Sequence, residues 1–224
     1  CMRYTMRCDL HVHTLHSHDS LAQAEPILAR AVARGIGCLA ITDHNTIEAA
    51  HRMVDNGRVQ IIVGEEIATR EGEMIGLWLH EAVSPGMSAL ETARAIRKQG
   101  GLVVLPHPYD VLRSGIAPAI SPELLELVDA IEVWNARCWR PRWNRQALQL
   151  AQRYDKFFTA GSDAHLAHEV GQAWIELPEF HNRDSFAAAL QTAGHVKRCA
   201  SRHSVHLSST LAKLVHRLHI RRTL

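Results

Sequence analysis

Short apolar runs alternate along the chain with longer stretches whose apolar residues recur at helical spacing. The runs at 7–12, 38–42, 60–67, 74–80, 102–105, 130–134 and 157–160 predict strands, several of them apolar on both faces as in a buried parallel sheet. Helical spacing predicts helices over 24–34, 46–54, 88–99, 122–127 and 142–153. Pro26 stands near the first helix's start, Ser88 and Ser121 are placed as N-caps, and Gly35, Gly57 and Gly100-Gly101 follow helices as stop signals. The alternation predicts a single α/β domain, barrel-like or doubly wound.

Polar residues choose between these two architectures. Nearly every predicted strand ends in a polar cluster: His11-Val12-His13, Thr42-Asp43-His44, Gly64-Glu65-Glu66, Pro106-His107-Pro108, Trp134-Asn135 and Gly161-Ser162-Asp163-Ala164-His165. A barrel gathers the C-terminal ends of its strands into one ring, where active residues sit. A closed or distorted barrel is therefore the expectation.

Composition adds three points. With 46% hydrophobic and 21% charged residues over 224, the chain is neither disordered nor fibrous, and its apolar runs fall far short of a membrane helix of roughly 20 residues. The first residues lack the apolar core of a secretory signal, and the five cysteines form no CxxC pair, which together predict a reduced, cytoplasmic setting. The 16 histidines are out of proportion, and histidine is the commonest metal ligand. Charge is also uneven: all 23 acidic residues lie at or before Asp184, while 185–224 carry seven Lys and Arg and no acid. The plain reading is a solvated basic helix face; the sharper one is a patch for an anionic substrate or nucleic acid. Leu207, Leu211, Leu214, Val215 and Leu218 predict an amphipathic C-terminal helix over 201–224 packed on a barrel formed by 1–200.

His11 and His13 lie one residue apart at a strand end, so both side chains share a face and can hold one ion. Alone that is weak; His44, His107, Asp163 and His165 are each equally ambiguous. Jointly, five histidines and several carboxylates at convergent strand ends predict a metal site. Imidazole with carboxylate suits Zn, Mn or Fe rather than Ca.

The motifs DLHVHTLHSHDS at 9–20, ITDHNT at 41–46, GEEI at 64–67, LPHP at 105–108 and GSDAH at 161–165 resemble, in order, those of the PHP (polymerase and histidinol phosphatase) family of metal-dependent phosphoesterases. The resemblance implies a distorted (β/α)7 TIM-like barrel holding two or three divalent ions at its C-terminal face. It places His11, His13 and Asp163 on the first metal, Glu66 as the bridge to a second that also takes His107, and Asp19, His44 and His165 on a third. Glu73 stands where many relatives have a histidine ligand, and His18 competes with Asp19. Glu65, one residue off, should face away.

The implied reaction is hydrolysis of a phosphate ester, in a small phosphorylated metabolite or nucleotide, by a metal-bridging hydroxide. Asp163 and His165 are the catalytic candidates; His165 or a metal-bound water is left open as general acid. Arg113 and Arg137 are placed to hold phosphate oxygens, and Asn135 to orient a water or ligand. Trp134, Trp139 and Trp143 form a core or pocket wall, with base stacking as the alternative. The rival readings are an exonuclease on short oligonucleotides, an amidohydrolase-like enzyme, and a metal-binding domain without catalysis. No membrane partner is expected, and the pattern carries no signal for an oligomeric state.

Overall fold

A computed structural model describes residues 5–193, 196–198 and 212–213. Nine strands form one sheet: β1 (Thr5–Val12), β2 (Cys38–Ile41), β3 (Gln60–Ala68), β4 (Glu73–Leu77), β5 (Leu102–Leu105), β6 (Ala130–Asn135), β7 (Phe157–Gly161), β8 (Ala173–Pro178) and β9 (Val196–Arg198). Their order is β7-β6-β5-β4-β3-β2-β1-β8-β9. The helices are α1 (Ala24–Ala33), α2 (Glu48–Met53), α3 (Ala89–Lys98), α4 (Pro122–Leu127), α5 (Pro141–Arg153) and α6 (Arg183–Gln191).

The sheet curls into a distorted, nearly closed TIM-like barrel. Parallel pairing runs β1-β2-β3 and β5-β6-β7, and β4 lies antiparallel to both of its neighbours. The β3–β4 turn causes that reversal: Gly72 adopts φ 154°, and a Cβ there would sit 2.6 Å from the Ser114 carbonyl. Closure is divided along β1. Its first half pairs antiparallel with β8, from Thr5↔Pro178 to Cys8↔Ile175. Its far end meets the chain leaving β7, where Asp163 N donates to His11 O at 2.8 Å and His13 N to Ala164 O at 2.9 Å. Only glycine tolerates that approach, because a Cβ on Gly161 would lie 2.2 Å from His11 Cβ.

Local chemistry explains the helices that begin as the sequence predicts. Ser88 Oγ accepts from Glu91 N at 3.2 Å while Glu91 Oε2 accepts from Ser88 N at 2.9 Å, a reciprocal cap. Ser121 Oγ accepts from Leu124 N at 3.2 Å. Three apolar clusters follow from the layering: one inside the barrel, one under α3, α4 and α5, and one under α1 and α2. In the first, Phe186 of α6, with Phe180 and Trp78, plugs the end opposite the polar strand termini. Among the described residues, no helix is long and apolar enough to cross a membrane. Of the expected C-terminal helix only Ala212 and Lys213 are described, both helical; the rest of 201–224 lies outside the described residues.

Candidate metal centre

The polar ends of the strands converge on one cavity of about 320 Å³, lined among others by Asp19, His44, Glu66, Glu73, His107 and Asp163. His165 also lines it, and His11 and His13 lie fully buried beneath, against Glu66 and Asp163. Irregular backbone aims these groups. Register shifts interrupt β1 between Asp9 and Val12 and β6 between Glu132 and Trp134. His107 and Asp163 take positive φ values of 26° and 53°, and Asn45, just after His44, takes 57°. Such conformations cost on the order of 1–3 kcal/mol each and persist where surrounding contacts over-determine them.

The spacing of the donor atoms is that of ligands around a cation. His11 Nε2 and His13 Nε2 stand 3.0 Å apart. Glu66 Oε2 lies 3.3 and 3.2 Å from them, and Asp163 Oδ1 3.7 and 3.4 Å. A tetrahedral ion with bonds of about 2.0–2.1 Å separates its ligands by roughly 3.3 Å, close to these spacings. Glu66 turns its other oxygen, Oε1, to His107 Nε2 at 3.1 Å, as a carboxylate bridging two ions would. Glu73 stands by the same imidazole, Oε2 at 3.8 Å, and its Oε1 is 4.0 Å from His44 Nδ1.

A third grouping joins Asp19 Oδ1 to His165 Nε2 at 3.2 Å and His44 Nε2 at 3.6 Å. His165 Nδ1 donates to the Asp163 carbonyl at 2.9 Å. Burial, with His13 and Arg137 nearby, pushes the His165 pKa down to about 3, so the ring is neutral and presents a bare Nε2. A bare nitrogen faces Asp19 Oδ1, a buried oxygen without a hydrogen-bond partner, and a cation between them would satisfy both. The exposed His18 ring packs on His44 at a centroid distance of 5.0 Å, so it borders this grouping beside Asp19.

Elsewhere the carboxylates dominate. Burial alone would lower the His11 and His13 pKa values, yet Asp163 and Glu66 raise His11 well above its usual value and His13 to about 9. Asp163 is held well below the carboxylate range against its burial by Arg113 and His11, and Glu66 likewise by His11 and His44. Burial and the adjacent Glu66 raise Glu73. Deprotonated carboxylates and a neutral His165 are the ligand forms; His11 and His13 exchange protons for metal when an ion enters.

The three expected non-metal residues form a clamp on Asp163. Arg113 Nη1 donates to Asp163 Oδ2, its Nε to Asp110 Oδ2 at 3.0 Å, and its Nη2 to Asn135 Oδ1 at 3.1 Å. Asn135 Nδ2 donates to Asp163 Oδ2 at 3.0 Å and to Glu132 Oε2 at 2.9 Å. Arg137 is buried, with Nη1 donating to the Asp163 carbonyl at 3.3 Å and lying 3.8 Å from Glu169. Glu65 faces away, as its register requires: Oε2 accepts from Val83 N at 2.7 Å, and burial raises its pKa to about 7.

Sequence reading passed over several supporting groups. Glu132 Oε1 meets His11 Nδ1 at 3.1 Å, while its Oε2 accepts from His107 N at 2.9 Å. Ser17 Oγ lies 3.0 Å from His13 Nδ1 and donates to Asp43 Oδ1 at 2.7 Å. The available signal was a charge inside an apolar strand, which must be paired to be buried. Lys213 also reaches the cavity, 3.6 Å from Asp19 Oδ2; the sequence marked it only as part of the basic, acid-free end.

A family model described as PHP-associated matches residues 141–193, from α5 through α6. An uncharacterized protein of Methanocaldococcus jannaschii is 36% identical over 180 residues, covering 79% of this chain and 72% of that one. The chain belongs to the PHP family. Another match is a 5'-3' exoribonuclease of Haemophilus influenzae, 30% identical over 122 residues that cover 47% of this chain and 44% of the other. Among solved structures, a two-domain Bacteroides vulgatus protein containing a predicted PHP-like metal-dependent phosphoesterase superposes with TM-score 0.66 at 17% identity. That match covers 93% of this chain and 70% of the other and supports the PHP barrel.

Proposed function

We propose that this PHP chain is a metal-dependent phosphoesterase that hydrolyses an ester of a small phosphorylated metabolite or nucleotide. One observation carries the reading: Glu66 divides its two oxygens between the His11–His13 pair and His107, at ligand spacing on both sides. Bound there, two or three Zn, Mn or Fe ions would supply an activated water and neutralise the phosphoryl oxygens. His11, His13, Glu66 and Asp163 would hold the first, His107 with Glu66 and Glu73 the second, and Asp19, His44 and His165 the third.

The chain's own groups do the rest. Arg113, through Asp163 and Asn135, fixes the carboxylate and puts positive charge on the cavity wall where a phosphate enters. Arg137 and Glu169 set the backbone of the 163–165 turn, Glu169 Oε2 accepting from His165 N at 2.8 Å. A neutral His165 serves as a ligand rather than a proton donor.

The second reading is an exonuclease on short oligonucleotides, favoured by the exoribonuclease likeness and by exposed Leu112 and Trp139 beside the cavity loops. Phosphate release should be screened across nucleotides, cyclic phosphates, sugar phosphates and oligonucleotides with Mn or Zn, beside amide substrates and elemental analysis. Release of phosphate from a monomeric ester, abolished by His107→Ala and Asp163→Asn in folded protein, is the expected result. Full activity in either variant, or turnover of amides alone, overturns it.

A further inference from the structure

Among the described residues, three Lys and Arg side chains line the cavity, and they are not equivalent. The Arg137 side chain is 2% exposed and tied to Glu169 and the Asp163 carbonyl; Arg113 is 20% exposed and spread over Asp110, Asp163 and Asn135. Both hold the protein's own acceptors. Lys213 is 48% exposed, while the neighbouring Ala212 is 1% exposed, so a buried backbone anchors an ammonium that remains accessible.

We infer that Lys213 is a substrate-binding residue, carried to the metal centre by the chain beyond the barrel, that receives the phosphoryl oxygens or a second anionic group of the substrate. The inference rests on the phosphoesterase reading above. Asp19 shows why the ammonium is available. Its Oδ1 is turned to His44 and His165, and only Oδ2 faces Lys213, at 3.6 Å. That contact is an ion pair at 3.6 Å on a side chain 48% exposed, so the ammonium keeps donors that an anion's oxygens can reach from the cavity side. With a cation held by Asp19, His44 and His165, the Asp19 charge would be partly neutralised and its hold on the ammonium would weaken. Lysine suits the task, being a compact charge on a flexible stem with three donors, which follows a phosphoryl group without demanding one geometry. The position also gives part of the uneven charge distribution a use: Lys213 belongs to the basic, acid-free end of the sequence.

The test compares wild-type protein, fully loaded with Mn, with Lys213→Met and Lys213→Arg. Calorimetry with inorganic phosphate reads binding directly, elemental analysis reads metal content, and steady-state kinetics on the ester found in the screen separates KM from kcat. Lys213→Met should weaken phosphate binding and raise KM by about tenfold, as expected for losing one charged hydrogen bond, with metal content unchanged. Lys213→Arg should stay within about threefold of wild type on the same measure. Phosphate affinity and KM equal to wild type in Lys213→Met overturn the inference, as does a loss of metal in that variant, which would make Lys213 a support for Asp19. A wild-type protein that binds no phosphate and releases none sinks the phosphoesterase reading itself, a different outcome from an unaffected variant.

Discussion

Glu132 offers the sharpest perturbation, because substitution by glutamine keeps its shape and spoils its logic. The carboxylate is buried and accepts on both oxygens: Oε1 from His11 Nδ1 at 3.1 Å, Oε2 from His107 N and from Asn135 Nδ2, each at 2.9 Å. Accepting from Nδ1 fixes the His11 tautomer that leaves Nε2 bare for a cation. A glutamine must choose. With its oxygen toward His11, its amide donors point at the N–H groups of His107 and Asn135. Turned over, it donates to His11 Nδ1 and drives the proton to Nε2, the ligand atom. Either way a hydrogen bond to a charged group is lost, worth about 1.5–3 kcal/mol. That corresponds to roughly 10–100-fold in metal affinity, the range seen for groups that orient ligands in other proteins. Competition against a chelator of known affinity, with elemental analysis and a thermal melt to show that the variant is folded, measures it. Metal affinity within about threefold of wild type in folded Glu132→Gln would refute the assignment of His11 as a ligand oriented by this carboxylate.

Two further perturbations test the scaffold. Burial raises the Glu65 pKa to about 7, above the value of an unfolded chain, so the protonated form is favoured by folding. Its stabilising contribution is complete below the unfolded value and is lost as pH rises through about 7. Glu65→Gln should therefore raise the melting temperature at pH 8.5 and leave it near wild type at pH 4; an equal shift at both pH values counts against the argument. Gly161→Ala places a methyl 2.2 Å from His11 Cβ and should destabilise the fold by at least the 1–3 kcal/mol of overpacking, read from urea unfolding. Unchanged stability would mean that β7 does not close against β1 as described.

The barrel and most of its centre were legible because both obey simple periodicities. Seven apolar runs became strands within a few residues, since strands buried on both faces need unbroken apolar sequence. The strand-end residues converged because parallel strands deliver their C-terminal ends to one face. What escaped follows from the same rules. β8 alternates buried and half-buried residues over Ala173–Pro178, a period-two signal beside the more conspicuous GSDAH motif. α6 was hidden because Phe186, Ala189 and Leu190 offer only a short apolar stripe, with no long amphipathic face. Lys213 was marked only as one of seven basic residues in the acid-free end; its place beside Asp19 is a long-range contact that local periodicity does not encode.

A residue list also hides how the carboxylates are divided. Asp163 turns Oδ1 to His11 and His13 and gives Oδ2 to Arg113 and Asn135. Asp19 turns Oδ1 to two imidazoles and Oδ2 to Lys213. Glu132 splits between an imidazole and two N–H donors. In Asp163 and Glu132 one oxygen serves the centre while the other is held by donors behind it, which lowers the cost of crowding negative charge in a buried place. The strained backbone fits the same logic. Asp163 and His107 keep their positive φ values because Asp163 N is bonded to His11 O at 2.8 Å and His107 N to Glu132 Oε2 at 2.9 Å. The bonds that hold the strain are those that aim the ligands, so one set of contacts fixes both the backbone and the donor spacing.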